Sequence, residues 1–278
     1  NLIGLTQTSG TTNQIPSETL VNNTSAPLIL TYSITPSLDG ADCDPVTEEY
    51  TVTVNPPVTM LTVEDQVVCN GDELSVEFES LNTGGSTTFA WTNNTESIGL
   101  SSSGATAGFT FTAVNTGDSP VVATITVTPT FENGGINSEG DSQTFTITVN
   151  PLPQIDPFEE TICEGQSFTD ITPVNGTDGI VPAGTTYTWS IAQTSSNDIT
   201  GGSSGSGTTI VGSVLQNASN SPQNLVYTVT PTTTTGNESC VGADFTVTIT
   251  VNPTPEMSLP SSIDVCNGDQ DVEIYFTT

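Results

Sequence analysis

The stretch Tyr50-Thr51-Val52-Thr53-Val54-Asn55-Pro56 decides the fold. It returns as Phe145 to Pro151 (FTITVNP) and again as Thr246 to Pro253 (TVTITVNP). In each copy a branched apolar residue alternates with threonine, the period-two pattern of a strand with one buried face. Each copy stops at Asn-Pro, because proline has no ladder N–H and bars continuation of a central strand. A closing strand that recurs at a steady period marks a tandem array with one domain per period. The boundaries then fall at residues 1–56, 57–151, 152–253 and 254–278.

The second period serves as the template. A first strand covers about Val58 to Val63, and the turn Cys69-Asn70-Gly71-Asp72 follows, its Asn-Gly suited to the positive φ of a tight turn. Leu74, Val76 and Phe78 alternate as the next strand, and Thr87 to Thr92 (TTFAWT) places Phe89 and Trp91 on one face. Phe109, Phe111 and Ala113 make another. Val121 to Thr128 is a long strand expected to end at Pro129, and Thr144 to Val149 closes the domain. About seven strands in about 95 residues predict an immunoglobulin-like sandwich.

The third period repeats the order, with Cys163-Glu164-Gly165-Gln166 as first turn and Tyr187-Thr188-Trp189 in place of Phe-Ala-Trp. Val226 to Thr230 runs into Pro231 before the closing strand, and the Ser/Gly-rich Gly201 to Gly207 reads as a loop within the domain. The first period is a C-terminal half, in which Leu28 to Thr35 matches Val121 to Thr128. The fourth is a start, with Val265-Cys266-Asn267-Gly268-Asp269 repeating Val68 to Asp72. The chain thus reads as an internal fragment of something much longer. Between periods stand only Pro56-Pro57, Pro151-Leu152-Pro153 and Pro253-Thr254-Pro255, stiff links that predict an extended rod.

Composition closes off whole classes of chemistry. The 278 residues hold no Lys, Arg or His against 31 Asp and Glu, a formal charge of −31. There is no His base or ligand, no catalytic triad and no Schiff-base lysine, and salt bridges contribute nothing to the fold. Nucleic acid is not an expected partner, since its phosphates need Lys or Arg, and no apolar run approaches the roughly 20 residues of a membrane-spanning helix. Without a Lys or Arg bond, native and heat-denatured chains alike are expected to resist trypsin. The expected setting is extracellular.

These features together resemble a known family. The Cys-x-Gly turn, the Tyr/Phe-x-Trp strand, the Cys before the last strand and the closing TVTVNP are similar to PKD-like (immunoglobulin-like) repeats. Those repeats fill very large secreted surface proteins of the Bacteroidota, including giant gliding-motility adhesins exported by the type IX system. The second period departs from the pattern, carrying Ile136-Asn137 where its neighbours have Cys43 and Cys240. The resemblance implies cell-surface adhesion or gliding, with these domains as stalk, and it brings no catalytic residue.

Five cysteines in an extracellular all-β chain suggest disulfides. Cys69, Cys163 and Cys266 lie in the turn after the first strand, whereas Cys43 and Cys240 lie just before the last. Two pairings are open. Cys163–Cys240 within one domain leaves Cys69 over and joins opposite sandwich ends, roughly 23 Å apart for a seven-residue strand, where a disulfide tolerates about 7 Å between Cα atoms. Cys69–Cys240 between successive domains accounts for Cys69 without violating the topology.

Other constellations have plainer readings. Trp91 and Trp189 sit on alternating strands and read as core residues rather than exposed sugar platforms. Asp39, Asp42 and Asp44 gather in a glycine-bearing loop and are weak candidate calcium ligands, since their spacing is not the EF-hand pattern and a solvated acidic loop is the favoured reading. The paired carboxylates Glu48-Glu49, Glu64-Asp65, Asp72-Glu73 and Glu159-Glu160 would need a cleft for glycosidase chemistry. Asn22, Asn93, Asn175, Asn217 and Asn237 stand in Asn-x-Ser/Thr sequons. The expectation is a non-enzymatic stalk of a surface adhesin, needing no cofactor, its partners neighbouring repeats and surface polysaccharide. The alternatives are domains that themselves bind carbohydrate through loops such as Thr194 to Gly207, or the accessory region of an extracellular carbohydrate-active enzyme.

Overall fold

The computed structural model describes residues 2–4, 8–15, 17–37, 44–193, 195–236, 238–258, 262, 264–268 and 273–274. The chain forms two compact units, one of residues 1–116 and 120–150, the other of residues 117–119 and 151–278. Among the described residues the only helix is the 3-10 turn Glu96–Ile98, and the rest is strand and loop.

The first unit contains a complete immunoglobulin-like sandwich. Its larger sheet begins with Gln66–Cys69, which lies parallel to the closing strand Gln143–Asn150. The closing strand pairs antiparallel with the long strand Val121–Asn133, which pairs in turn with Ser86–Asn93, and that with Ser103–Gly104. Ile136–Glu139 folds back on the end of the long strand as a hairpin. The second sheet is the antiparallel pair Glu73–Glu77 and Gly108–Thr112. Alternation along these strands sends Leu74, Val76 and Phe111 inward from one sheet and Phe89, Trp91, Ile125, Val127, Phe145 and Ile147 from the other, into one core. Phe109 sits among the aromatics, its centroid 5.0 Å from Trp91 and 5.7 Å from Phe78.

Pro129 does not end its strand. The long strand runs through it to Asn133, and its counterpart Gln223–Thr235 runs through Pro231. The reason is local. Neighbouring pairs stop at Val127–Gln143 and resume at Thr130–Glu139, so Pro129 faces a break in the adjoining ladder. Its carbonyl accepts from Gly140 N at 2.9 Å, as that of Pro231 accepts from Gly242 N, and the missing N–H leaves no ladder bond unmade.

The same unit holds the hairpin of the preceding period, Leu28–Ile34 with Glu48–Val54. Its junction with the sandwich is bonded directly. Asn133 Nδ2 donates to Asn55 Oδ1 at 2.9 Å, and Thr83 N donates to Ser25 O at 2.8 Å. Phe131 is fully buried on the same strand but stands apart from the core cluster.

The second unit repeats this sheet. Phe158–Cys163 lies parallel to the closing strand Phe245–Asn252, followed by Gln223–Thr235, Thr186–Ile191 and Gly205–Gly207, with Glu238–Val241 hairpinned on the long strand. The opposing sheet is reduced to the bridges Ser167–Val214 and Ile171–Ile210. Tyr187, Trp189, Tyr227, Val229, Val247 and Ile249 are central to its core. Register also relocates the departure seen in the second period. Cys240 pairs with Thr233 and Ser138 pairs with Phe131, each two residues past the strand's proline, so Ser138, not Ile136-Asn137, holds the cysteine's place.

Candidate functional site

An asparagine recurs just before each long strand and reaches back to the closing strand of its own repeat. Asn22, Asn115 and Asn217 donate Nδ2 to the carbonyls of Val54, Val149 and Val251, each at 2.8 Å. In the first and third the amide also bonds Ala26 O or Ser221 O, while Oδ1 accepts from the backbone and hydroxyl of Thr24 or Ser219. Asn93 is likewise buried, donating to Leu100 O at 2.9 Å and accepting from Thr95 N. Three of the sequons are therefore internal Asx turns, and at Asn22 and Asn217 the hydroxyl two residues on completes the turn. Asn175 is exposed and donates to Asp118, and Asn237 lies outside the described residues.

Trp91 and Trp189 are buried, their indole N–H groups directed to Thr106 Oγ1 at 3.4 Å and Ser203 O at 3.2 Å. Neither presents a platform to solvent. Of the three calcium candidates, Asp39 and Asp42 lie outside the described residues with Cys43, and Asp44 is exposed. Cys69 and Cys240 are each in disulfide linkage. Cys163 is an exposed free thiol paired in register with Asn252, whereas Cys240 pairs with Thr233 at the other end of the sheet. The Cys163–Cys240 pairing is therefore not formed, for the topological reason that argued against it.

Several carboxylates are engaged with the backbone rather than with each other. Asp65 Oδ1 accepts from Thr146 N at 2.6 Å, and that bond holds its pKa below the ordinary carboxylate value. Glu160 accepts from Thr169 N and Oγ1, and Asp72 from Cys69 N. Bonds from Ser119 and then Asn175 hold Asp118 down in the same way. These acids cap turns and strand ends, a structural task.

An open concavity lies in the second unit where the tryptophan strand ends at Ile191. It measures about 250 Å³ and is lined by Ile191, Ile199 and Leu225 together with Gln193, Asn197 and Thr200. Ile199 and Leu225 are buried and form its base, while the three polar side chains are exposed around it. The surrounding loop is fastened to the long strand: Ala192 N and Ser195 Oγ donate to Val226 O at 2.8 and 3.0 Å, and Ser196 N donates to Asn224 O at 2.9 Å. Gly201 (φ +99°) and Gly202 complete the wall, where a Cβ would lie 2.1 Å from Val214 O and 2.8 Å from Leu225 Cδ2 respectively. The corresponding loop of the first unit turns Ile98 and Leu100 into the core. Gly201 to Gly207, a loop by its composition, carries the strand Gly205–Gly207 against Tyr187 to Trp189. Gln193 and Asn197 were not singled out, because an Asn or Gln in a polar loop carries no periodic signal.

A profile of the PKD-like domain matches residues 1–58 and 160–255. Comparison with curated proteins gives no match. Among solved structures, the insect immune protein hemolin aligns with a TM-score of 0.33 and 16% identity, over 80% of this chain and 56% of its own. The ICAM-5 D1–D4 ectodomain fragment aligns with a TM-score of 0.33 and 13% identity, over 86% and 76%. A SusE-like surface-located polysaccharide-binding protein of Bacteroides thetaiotaomicron aligns with a TM-score of 0.27 and 9% identity, over 83% and 52%. The chain thus spans little more than half of hemolin and of the SusE-like protein, and likeness at this level says nothing of what it does. With the profile covering more than half of the sequence and the closing-strand repeat running throughout, the chain belongs to the PKD-like domain family.

Proposed function

We propose that this chain is a repeat region of a large secreted surface adhesin, in which successive PKD-like domains supply length and spacing. The junction inside the first unit carries this reading. There the Asn55–Asn133 and Thr83–Ser25 bonds tie one period to the next, as a load-bearing series requires and a flexible tether does not. An all-anionic surface supports it, because like charges keep such a series soluble and non-clumping. The chain is expected to act without catalysis: it has no Lys, Arg or His, and Asp65, Asp72 and Glu160 are engaged with backbone N–H groups rather than paired in a cleft. Placement in a gliding-motility adhesin exported by the type IX route, at a bacterial cell surface, is the finer form of the proposal and follows from the family resemblance.

Single-molecule stretching between the chain ends, with thiols reduced, tests the spacer role. Each complete repeat is expected to unfold in one cooperative step releasing roughly 300 Å, from about 95 residues at about 3.3–3.6 Å each. Extension at low force without such steps would overturn it.

A further inference from the structure

We propose that the concavity beside Ile191 in the second unit is a binding site for a neutral saccharide, taking about one sugar ring. The inference rests on the surface-adhesin reading only for the setting in which saccharide would be met. Its physical basis is a comparison within the chain. In the first unit the segment following the tryptophan strand buries Ile98 and Leu100, and Asn93 at its start donates to Leu100 O and accepts from Thr95 N. The second unit keeps the same strand and the same fastening to the long strand, but its segment sends only Ile199 into the core and borders about 250 Å³ of open space. That volume lies below the roughly 300–1,000 Å³ of clefts that take drug-sized ligands, which limits the occupant to about one ring.

The lining selects the chemistry. Gln193, Asn197 and Thr200 bring amide and hydroxyl groups that both donate and accept, and their side chains make no hydrogen bond among the described residues. Ile191, which is exposed, supplies an apolar edge for the C–H face of a pyranose above the buried Ile199 and Leu225. An anionic ligand is disfavoured, since the chain has no cation to meet it and Asp198 stands in the loop. A cationic ligand would need a carboxylate in the lining, and Asp198, the carboxylate of this loop, is not among the lining residues. Neutral polyols remain. Ser195, whose hydroxyl accepts from Val226 N at 3.0 Å, holds the loop in place before any ligand arrives, so ordering costs little on binding.

The test uses the whole 278-residue chain against a panel of neutral glycans, with uronate and sulfated glycans as contrast, followed by NMR titration with methyl hexosides and N-acetylhexosamines. At least one neutral glycan is expected to bind saturably, shifting amides of the segment between Ile191 and Gly202. Gln193→Ala and Asn197→Ala are each expected to weaken that binding about tenfold, with thermal unfolding unchanged. Asn197→Trp, which fills the mouth, is expected to abolish it, while Ser101→Ala in the corresponding loop of the first unit leaves it untouched. The proposal is overturned if no neutral glycan binds, if the Gln193/Asn197 double variant binds as well as the parent, or if anionic glycans bind equally well. Cooperative stretching steps in a chain that binds no glycan would overturn this site and leave the spacer reading standing.

Discussion

Asn217 Nδ2 lies 2.8 Å from the carbonyl oxygen of Val251, so the loop entering the long strand is tied to the strand that closes the domain. Asn22 with Val54 and Asn115 with Val149 show the same bond at the same length. Asn217 is almost wholly buried and its amide also serves Ser221 O, so truncation leaves carbonyls unmatched in a dry environment. A buried group left unsatisfied costs about 1–3 kcal/mol.

Asn217→Ala is therefore expected to destabilise the second unit by about 2–3 kcal/mol. Asn217→Asp is expected to do similar harm, because a carboxylate cannot donate to Val251 O. Differential scanning calorimetry resolves the effect, with Asn175→Ala, an exposed sequon residue, as the contrast. Equal melting of the Asn217→Ala variant and the parent would show the bond to be incidental.

A glycine packs flat on each core tryptophan. A Cβ on Gly104 would stand 2.4 Å from Trp91 Cζ2, and one on Gly205 would stand 2.5 Å from Trp189 Cζ2. Neither indole has room to retreat, being enclosed by the sandwich core. Gly104→Ala and Gly205→Ala are each expected to cost about 1–3 kcal/mol, the range for overpacking. Gly134→Ala is a control for added bulk, since nothing lies within 4 Å of its Cβ position, although its φ of +63° adds a backbone penalty of its own. A chemical-denaturation midpoint unchanged in both tryptophan-facing variants would refute the close packing.

Some of this architecture is legible in sequence, and the limits have physical causes. The closing strands show themselves because Val and Ile alternate with Thr over enough residues to fix both period and buried face. The passage of the long strand through Pro129 does not show. It depends on a break in the neighbouring ladder between Gln143 and Glu139, and no local pattern encodes a partner's interruption. The Asn-x-Ser/Thr triplets were visible but ambiguous, since an Asx turn and a glycan acceptor share one pattern. What distinguishes Asn22 and Asn217 is the carbonyl of Val54 or Val251, far along the chain. The cleft was hidden for another reason. It lies where the loop sends Ile199 alone into the core, against the pair Ile98 and Leu100 in the first unit, a difference of one side chain in a polar segment.

Asp65 offers a pH handle. Its carboxylate accepts the Thr146 N–H, which lowers its pKa from the ordinary value. A depressed folded pKa means a stabilising contribution fully present above the unfolded value of about 4 and lost as pH falls through the lowered folded value. The difference in melting temperature between the parent and Asp65→Asn is thus expected to be greatest above about pH 4 and to close on further acidification. The carboxylate is fully exposed, so salt is expected to shrink the difference as well. A difference constant from neutrality to strong acid would assign the effect to shape rather than charge.

The cysteines make a chemical prediction. Cys163 is exposed and reduced, so it is expected to react with an alkylating reagent in the native, unreduced chain. Cys69 and Cys240, both in disulfide linkage, are expected to react only after reduction. The repeat spacing proposes that these two are partners, the late cysteine of one domain joined to the early cysteine of the one before. Trypsin cannot map the bond in a chain without Lys or Arg, but a glutamate-specific protease can, cutting at Glu64 and Glu73 around Cys69 and at Glu238 just before Cys240. A linked peptide pair that contains both residues and separates on reduction is the expected result. Cys69 linked instead to Cys43 would overturn the domain-to-domain pairing, and alkylation of Cys69 without reduction would remove the bond altogether.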